Sequence, residues 1–312
     1  MHKYYKILII LFICSFHVNA TNLPDKLLNI PINLISGEST SLSEYKGQKA
    51  VYIKFWATWC QPCRKEMPHF EHIKNKYGDS IEVIGINVGI NDDIKAVEAT
   101  IKEFGLTMPM AIDKSGDLAQ ASRFIGTPYH LLFDRDLNLI HRGHKANKSL
   151  DNKLALISQS QSVDQLDINS LSENEPNLKI DLHDDKIHAL FFTATWCDWY
   201  LKESRPQNAK NCVAAQKNMN TLSKAYTDII WNTVVSRLWT GNKDLNDYKK
   251  KYSINHPVDI DMSNSLFHQY SVKDLPTLLL IKNNKIILKV TNFSDSEALQ
   301  KLTVELKQSL LE

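Results

Sequence analysis

"KFWATWCQPC" runs from Lys54 to Cys63, and "FTATWC" returns at Phe192 to Cys197 without a second cysteine three residues on. In the first stretch an apolar run, Val51 to Trp56, leads into C-x-x-C with a proline between the cysteines. Such a short apolar run reads as a buried strand, and the residues after it as the start of a helix. A cysteine at a helix N-terminus meets unpaired backbone N–H groups and the positive end of the helix dipole, and both favour its thiolate. Cys60 is then the attacking sulfur and Cys63, one turn along, the resolving one. Pro62 takes an early helical position, where its missing N–H costs little. Trp59, Gln61 and Pro62 are expected to face the substrate. Zinc needs two further ligands, and no second C-x-x-C or paired-histidine motif is present downstream. The expectation is thiol–disulfide chemistry with no metal and no cofactor.

Working outward, the chain repeats itself. "FGLTMPMAIDKSGDLAQASRFIGTP" (Phe104 to Pro128) and "YSINHPVDIDMSNSLFHQYSVKDLP" (Tyr252 to Pro276) align without gaps at an offset of 148, sharing Pro109/Pro257, Asp113/Asp261, Leu118/Leu266 and Pro128/Pro276. The two "ATWC" phrases lie 137 apart, so the second copy carries eleven extra residues after Cys197. In each copy a strand enters the cysteine and helix, a second strand comes next (Ile81 to Val88; Ile229 to Val235), then helices, and after the proline two strands joined by a turn ("LLFDRDLNLI"; "LLLIKNNKIIL"). This predicts an α/β protein of two tandem domains, each a mixed sheet flanked by helices. The boundaries read as a leader at 1–20, a first domain at 21–157, a polar linker at 158–177 and a modified second domain at 178–312.

Composition bounds the partners. A net charge of +2, with no basic tract interleaved with aromatics, gives no case for nucleic acid. "MHKYYK", "ILIILFICSF" and "VNA" form a cationic start, an apolar run too short to span a bilayer, and a small-residue end. Cleavage after Ala20 and export to a periplasmic, oxidising space are expected, with a retained membrane anchor as the alternative. Ile13 before Cys14 argues against a lipoprotein. Four cysteines then remain, too few for a disulfide-stapled scaffold.

"SLSEYKGQKAVYIKFWATWCQPCRKEMP", together with Pro68 and the "GTP" before the last hairpin, resembles the TlpA-like branch of thioredoxin-fold proteins, exported thiol–disulfide oxidoreductases. The resemblance covers Asn29 to about His144. It implies a cis Thr127–Pro128 bond, a loop there that offers its backbone to an extended substrate chain, protein thiols and disulfides as substrates, and a membrane redox partner. Two positions depart from it. Lys54 stands where thioredoxin has a buried Asp, and "INVGI" puts Ile90 where some relatives have Glu. Lys54 either favours the thiolate from below, making the protein more oxidising, or carries its charge out to solvent. Asp92, Asp93 and Glu66 are acidic neighbours to which the sequence assigns no role.

In the second copy Tyr200 stands at the resolving position and Phe191 at that of Lys54. Only Cys212 remains to partner Cys197. An unbroken helix would hold the two roughly 22 Å apart, so the chain must turn back. Pro206 and "PQNAKN", a poor helix interior, place a loop there. Three readings stay open: a redox pair of unusual spacing, a permanent disulfide, or thiols that are free or hold a metal such as copper, with His183 and His188 upstream as possible ligands. Pro276 is a second expected cis proline. Trp199, Trp231 and Trp239 read as core or edge aromatics. The function these readings imply is disulfide exchange through Cys60 and Cys63 with an accessory redox or docking domain. The alternatives are a binding protein or chaperone, for metal delivery or cytochrome c maturation, and a second domain that only dimerises the chain.

Overall fold

The structure, a computed structural model, describes residues 23–167 and 176–309. The expected leader lies outside the described residues, as do residues 168–175 of the expected linker.

After α1 (Leu23–Asn29), a short hairpin of β1 (Ile32–Asn33) and β2 (Ser39–Thr40) precedes the first sheet. That sheet is built from β3 (Ala50–Trp56), α2 (Gln61–Lys65), α3 (Met67–Tyr77), β4 (Ile81–Asn87), α4 (Ile94–Phe104), β5 (Met110–Ile112), α5 (Asp117–Ala121), β6 (Tyr129–Phe133), β7 (Leu139–Gly143) and α6 (Lys148–Ser158). Its strand order is β5-β4-β3-β6-β7, with β3 parallel to β4 and antiparallel to β6. All seven residues of β3 are buried. A strand covered by helices on both faces loses the alternation of an exposed one and reads as a continuous apolar run.

The second half repeats the plan with β8 (Ile187–Thr193), α7 (Cys197–Tyr200), α8 (Pro206–Ala225), β9 (Ile230–Ser236), α9 (Asn242–Tyr252), β10 (Val258–Asp261), α10 (Ser265–Gln269), β11 (Thr277–Lys282), β12 (Lys285–Val290) and α11 (Ser296–Ser309). The order β10-β9-β8-β11-β12 matches the first sheet strand for strand. The protein is a mixed α/β pair of sheets, as the repeat implies.

The shared aspartates explain part of that repeat. Asp113 accepts backbone N–H bonds from Gly116 and Ala119 at 3.1 and 2.8 Å, and Asp261 accepts them from Ser265, Leu266 and Phe267 at 3.0, 2.8 and 3.1 Å. Each buried carboxylate satisfies the otherwise unpaired donors at the start of a short helix.

One local expectation is corrected. "PQNAKN" is helical, and Pro206 begins the twenty-residue α8. A proline in the first turn removes no hydrogen bond that the helix needs, so it starts this helix rather than ending the one before. The chain turns back earlier, over residues 201–205, and the added length lengthens a helix that delivers Cys212. Among the described residues no helix is long and apolar enough to cross a membrane.

Candidate active site

β3 ends inside the core at Trp56, and the chain leaves it through Ala57–Trp59 into α2. Cys60 is the N-cap of α2, and its Sγ accepts the Cys63 N–H at 3.2 Å. Pro62 sits in the first turn. Cys60 and Cys63 are joined by a disulfide with Cα atoms 5.2 Å apart, which one helical turn allows. The Thr127–Pro128 peptide is cis, and the Pro128 carbonyl lies 3.0 Å from His144 Nδ1.

One turn beyond Cys63, α2 gives way to α3 at Glu66, which points back into the protein. Its Oε2 lies 3.1 Å from Lys54 Nζ on β3 and 3.2 Å from His130 Nε2 on β6. Lys54 and His130 face each other across the β3–β6 ladder, and His130 Nδ1 meets the Tyr52 hydroxyl at 2.8 Å. Lys54 is fully buried, so its charge does not reach solvent. Burial brings the Lys54 ammonium down to about 8, against the pull of Glu66. Burial pushes the Glu66 carboxyl up, but bonding to His130, the Lys54 charge and the Ala146 N–H outweigh it and hold it at about 2. An acid does meet Lys54, then, from the junction of α2 and α3 rather than from either position that the resemblance pointed to.

Asp92 has a separate task. Its carboxylate accepts the Thr58 N–H at 2.8 Å and the Asn87 amide at 2.7 Å, holding the turn before Cys60. Asp93 caps α4 through the Ala96 N–H at 2.8 Å. Trp59 Nε1–H donates to the Ile90 carbonyl at 2.7 Å, so Ile90 contributes its backbone to the site.

Residues 29–156 match the Redoxin family. The chain is 32% identical over 133 residues to the thiol-disulfide oxidoreductase ResA of Bacillus thuringiensis subsp. konkukian, covering 42% of this chain and 75% of that one. It is 35% identical over 127 residues to the thioredoxin-like protein YneN of Bacillus subtilis, covering 40% and 74%. The chain belongs to the TlpA-like thiol-disulfide oxidoreductases of the thioredoxin superfamily. StoA of Bacillus subtilis is a solved structural neighbour, 25% identical over 40% of this chain and 95% of its own, with a TM-score of 0.36.

In the second half of this TlpA-like oxidoreductase, the positions matching Lys54, His130 and Cys63 hold other residues, and that matching Glu66 is altered in its exposure. Where the first sheet pairs Lys54 with His130, the second pairs Phe191 with Leu278, both buried. Glu203, six residues after Cys197 as Glu66 is after Cys60, is exposed. The buried charges are gone along with the second cysteine. Cys197 opens α7 and is disulfide-bonded to Cys212 on α8, their Cα atoms 6.0 Å apart. The Leu275–Pro276 peptide is cis. His188 Nε2 contacts Asp184 at 2.6 Å, and His183 is largely exposed beside Asn284. Among the described residues no group of three or more His, Cys, Asp or Glu side chains is arranged to hold a metal ion.

The two half-sites face each other. Trp59 stacks on Trp196, the residue before Cys197, with ring centroids 5.1 Å apart, and meets Trp239 edge-on at 5.7 Å. The Gln61 N–H donates to the Tyr200 hydroxyl at 3.2 Å. Arg205 donates to Thr58 Oγ1 at 2.6 Å and lies 3.4 Å from Asp92. Cys60, Cys63, Trp59 and Thr127 are buried in this arrangement, at 0, 0, 1 and 3% exposure, while Gln61 and Pro62 remain exposed. Of the four residues expected to face substrate, Trp59 and Thr127 are covered by the second half. Of the tryptophans read as core or edge, Trp231 is buried, Trp199 is 61% exposed, and Trp239 lies in the seam between halves. A bulky aromatic just before a helix cap gives no sequence signal that its partner lies in the other copy.

Proposed function

We propose that this is an exported oxidoreductase that exchanges disulfides with protein substrates through Cys60 and Cys63, its second half serving as a docking module over that site. The domains are those of the repeat, 21–157 and 178–312, joined by the linker at 158–177 and preceded by a cleaved leader at 1–20. The observation that carries the chemistry is a disulfide at the start of a helix, its two cysteines one turn apart. Membership among the thiol-disulfide oxidoreductases supports it. The leader composition supports a periplasmic site of action.

In the reducing direction the Cys60 thiolate attacks a client disulfide. A Cys60–client bond forms and one client sulfur leaves as thiolate, taking a proton. Cys63, losing its proton, attacks Cys60 Sγ. The Cys60–Cys63 bond forms, the second client sulfur leaves, and two electrons have passed to the client. The oxidising direction is the reverse. A membrane partner would return the pair to its starting state, as a dithiol in the reducing direction and as a disulfide in the oxidising one.

Docking is preferred to a second redox site because β8 and β11 have lost the buried charges and Tyr200 bonds Gln61 in place of a resolving thiol. Cys197–Cys212 is then a staple holding α7, and with it Trp196 and Tyr200, against α8. The test is exchange with a model protein disulfide. Cys60→Ser should abolish turnover, and Cys197→Ser/Cys212→Ser should retain Cys60-dependent turnover. Full turnover in Cys60→Ser would refute the reading and favour a client-holding chaperone.

A further inference from the structure

We propose that Trp239 occupies the strip of the Ile125–Pro128 loop that an extended client chain would use, so that the second half is a built-in competitor and client exchange requires the halves to part. This rests on the reading of Cys60 and Cys63 as an exchange site. The Trp239 N–H donates to the Ile125 carbonyl at 3.0 Å, and its indole N–H donates to the Thr127 carbonyl at 3.1 Å. These are the main-chain groups through which an edge receives an added strand. Gly126 permits the approach: a Cβ there would meet Trp239 Cδ1 at 2.4 Å and Nε1 at 2.6 Å.

The contact is reciprocal, which marks it as a built interface. Asn91, two residues before the cap of α4 as Trp239 is two before the cap of α9, reaches the other cis-proline loop. Its N–H donates to the Lys273 carbonyl at 2.8 Å, and its Oδ1 accepts the Leu275 N–H at 2.7 Å. Both residues hold the left-handed backbone, φ 51° at Asn91 and 52° at Trp239. Asn tolerates that region, whereas a bulky aromatic adopts it only when its surroundings compensate. Each half thus inserts the same loop position onto the other's cis-proline loop, and over the first site the Gln61 N–H also donates to the Tyr200 hydroxyl.

The experiment compares two reductants of the Cys60–Cys63 disulfide in the full chain: a small phosphine, and a protein dithiol of thioredoxin size. Trp239→Ala should speed the protein dithiol about 10-fold or more while changing the phosphine rate less than about 3-fold. Asn91→Ala, which loosens the same seam from the far side, should act in the same sense and serves if Trp239→Ala folds poorly. Trp239→Phe, which lacks the indole donor, should fall between. Equal acceleration of both reductants, or no change with the protein dithiol in either Ala variant, would overturn the cover while leaving exchange intact. No reaction with the protein dithiol in any variant would remove both proposals.

Discussion

Removing either partner of the Lys54–Glu66 pair should cost stability that removing both largely restores. Lys54 is fully buried and its ammonium falls from 10.5 to about 8. At about 1.4 kcal/mol per pH unit, the folded state disfavours that charge by about 3 kcal/mol. Glu66, brought from 4.5 to about 2 with its side chain 18% exposed, gains a similar amount, reduced somewhat by solvent. The attraction between the two groups enters both shifts and offsets much of what burial costs them, as in other buried pairs. Glu66→Gln leaves Lys54 3.1 Å from an uncharged amide in the core, and about 3–5 kcal/mol should be lost. Lys54→Met leaves Glu66 its His130 and Ala146 partners, so the loss should be smaller, about 1–2 kcal/mol. The double variant should lie within about 1 kcal/mol of the parent. The assay is urea unfolding of all four proteins at pH 7, followed by tryptophan fluorescence. A coupling energy under about 0.5 kcal/mol, the additivity expected of independent sites, would refute the account of Lys54 as held by Glu66.

The same shifts predict a pH dependence. The Glu66 carboxyl is lower in the folded than the unfolded state, so its contribution is complete above about 4.5 and is lost as pH falls toward about 2. The Lys54 ammonium is also lower when folded, so the unfolded state binds more protons between about 8 and 10.5 and this group's contribution rises with pH there. Urea midpoints across pH should show both trends, and Lys54→Met should remove the alkaline one. Cys212→Ser opens a disulfide between residues 15 apart and should cost about 3 kcal/mol, read as a lower thermal midpoint. Asp261→Ala leaves three backbone donors of α10 without their acceptor. It should cost about 2–3 kcal/mol, and Asp261→Asn should recover part of that.

The sheets and the first site are legible in the sequence because their signals are local. The apolar run from Val51 to Trp56, the C-x-x-C after it and a proline before a hairpin each report on neighbours along the chain. The repeated Asp113 and Asp261 are visible, although their role as buried helix-start acceptors is not. The features that stay hidden depend on distance in space. Nothing in "RKEMP" says that Glu66 turns inward to Lys54, because an acid in a helix usually faces water. Pro206 misleads because proline ends one helix and begins the next by the same geometry. The seam is invisible for a different reason. Trp196, Tyr200 and Trp239 carry ordinary apolar character, and only the opposed placement of two copies turns them into a cover over Cys60.

The most direct test of the central claim is to trap the intermediate. Cys63→Ser, reduced and then mixed with a disulfide-bearing client protein, should accumulate a covalent adduct joined through Cys60, seen by non-reducing electrophoresis and located by mass spectrometry of the linked peptides. The parent should form that adduct only transiently, and Cys60→Ser not at all. An adduct joined instead through Cys197 or Cys212, or none in Cys63→Ser while the parent still turns over client, would contradict the assignment of Cys60 as the attacking sulfur.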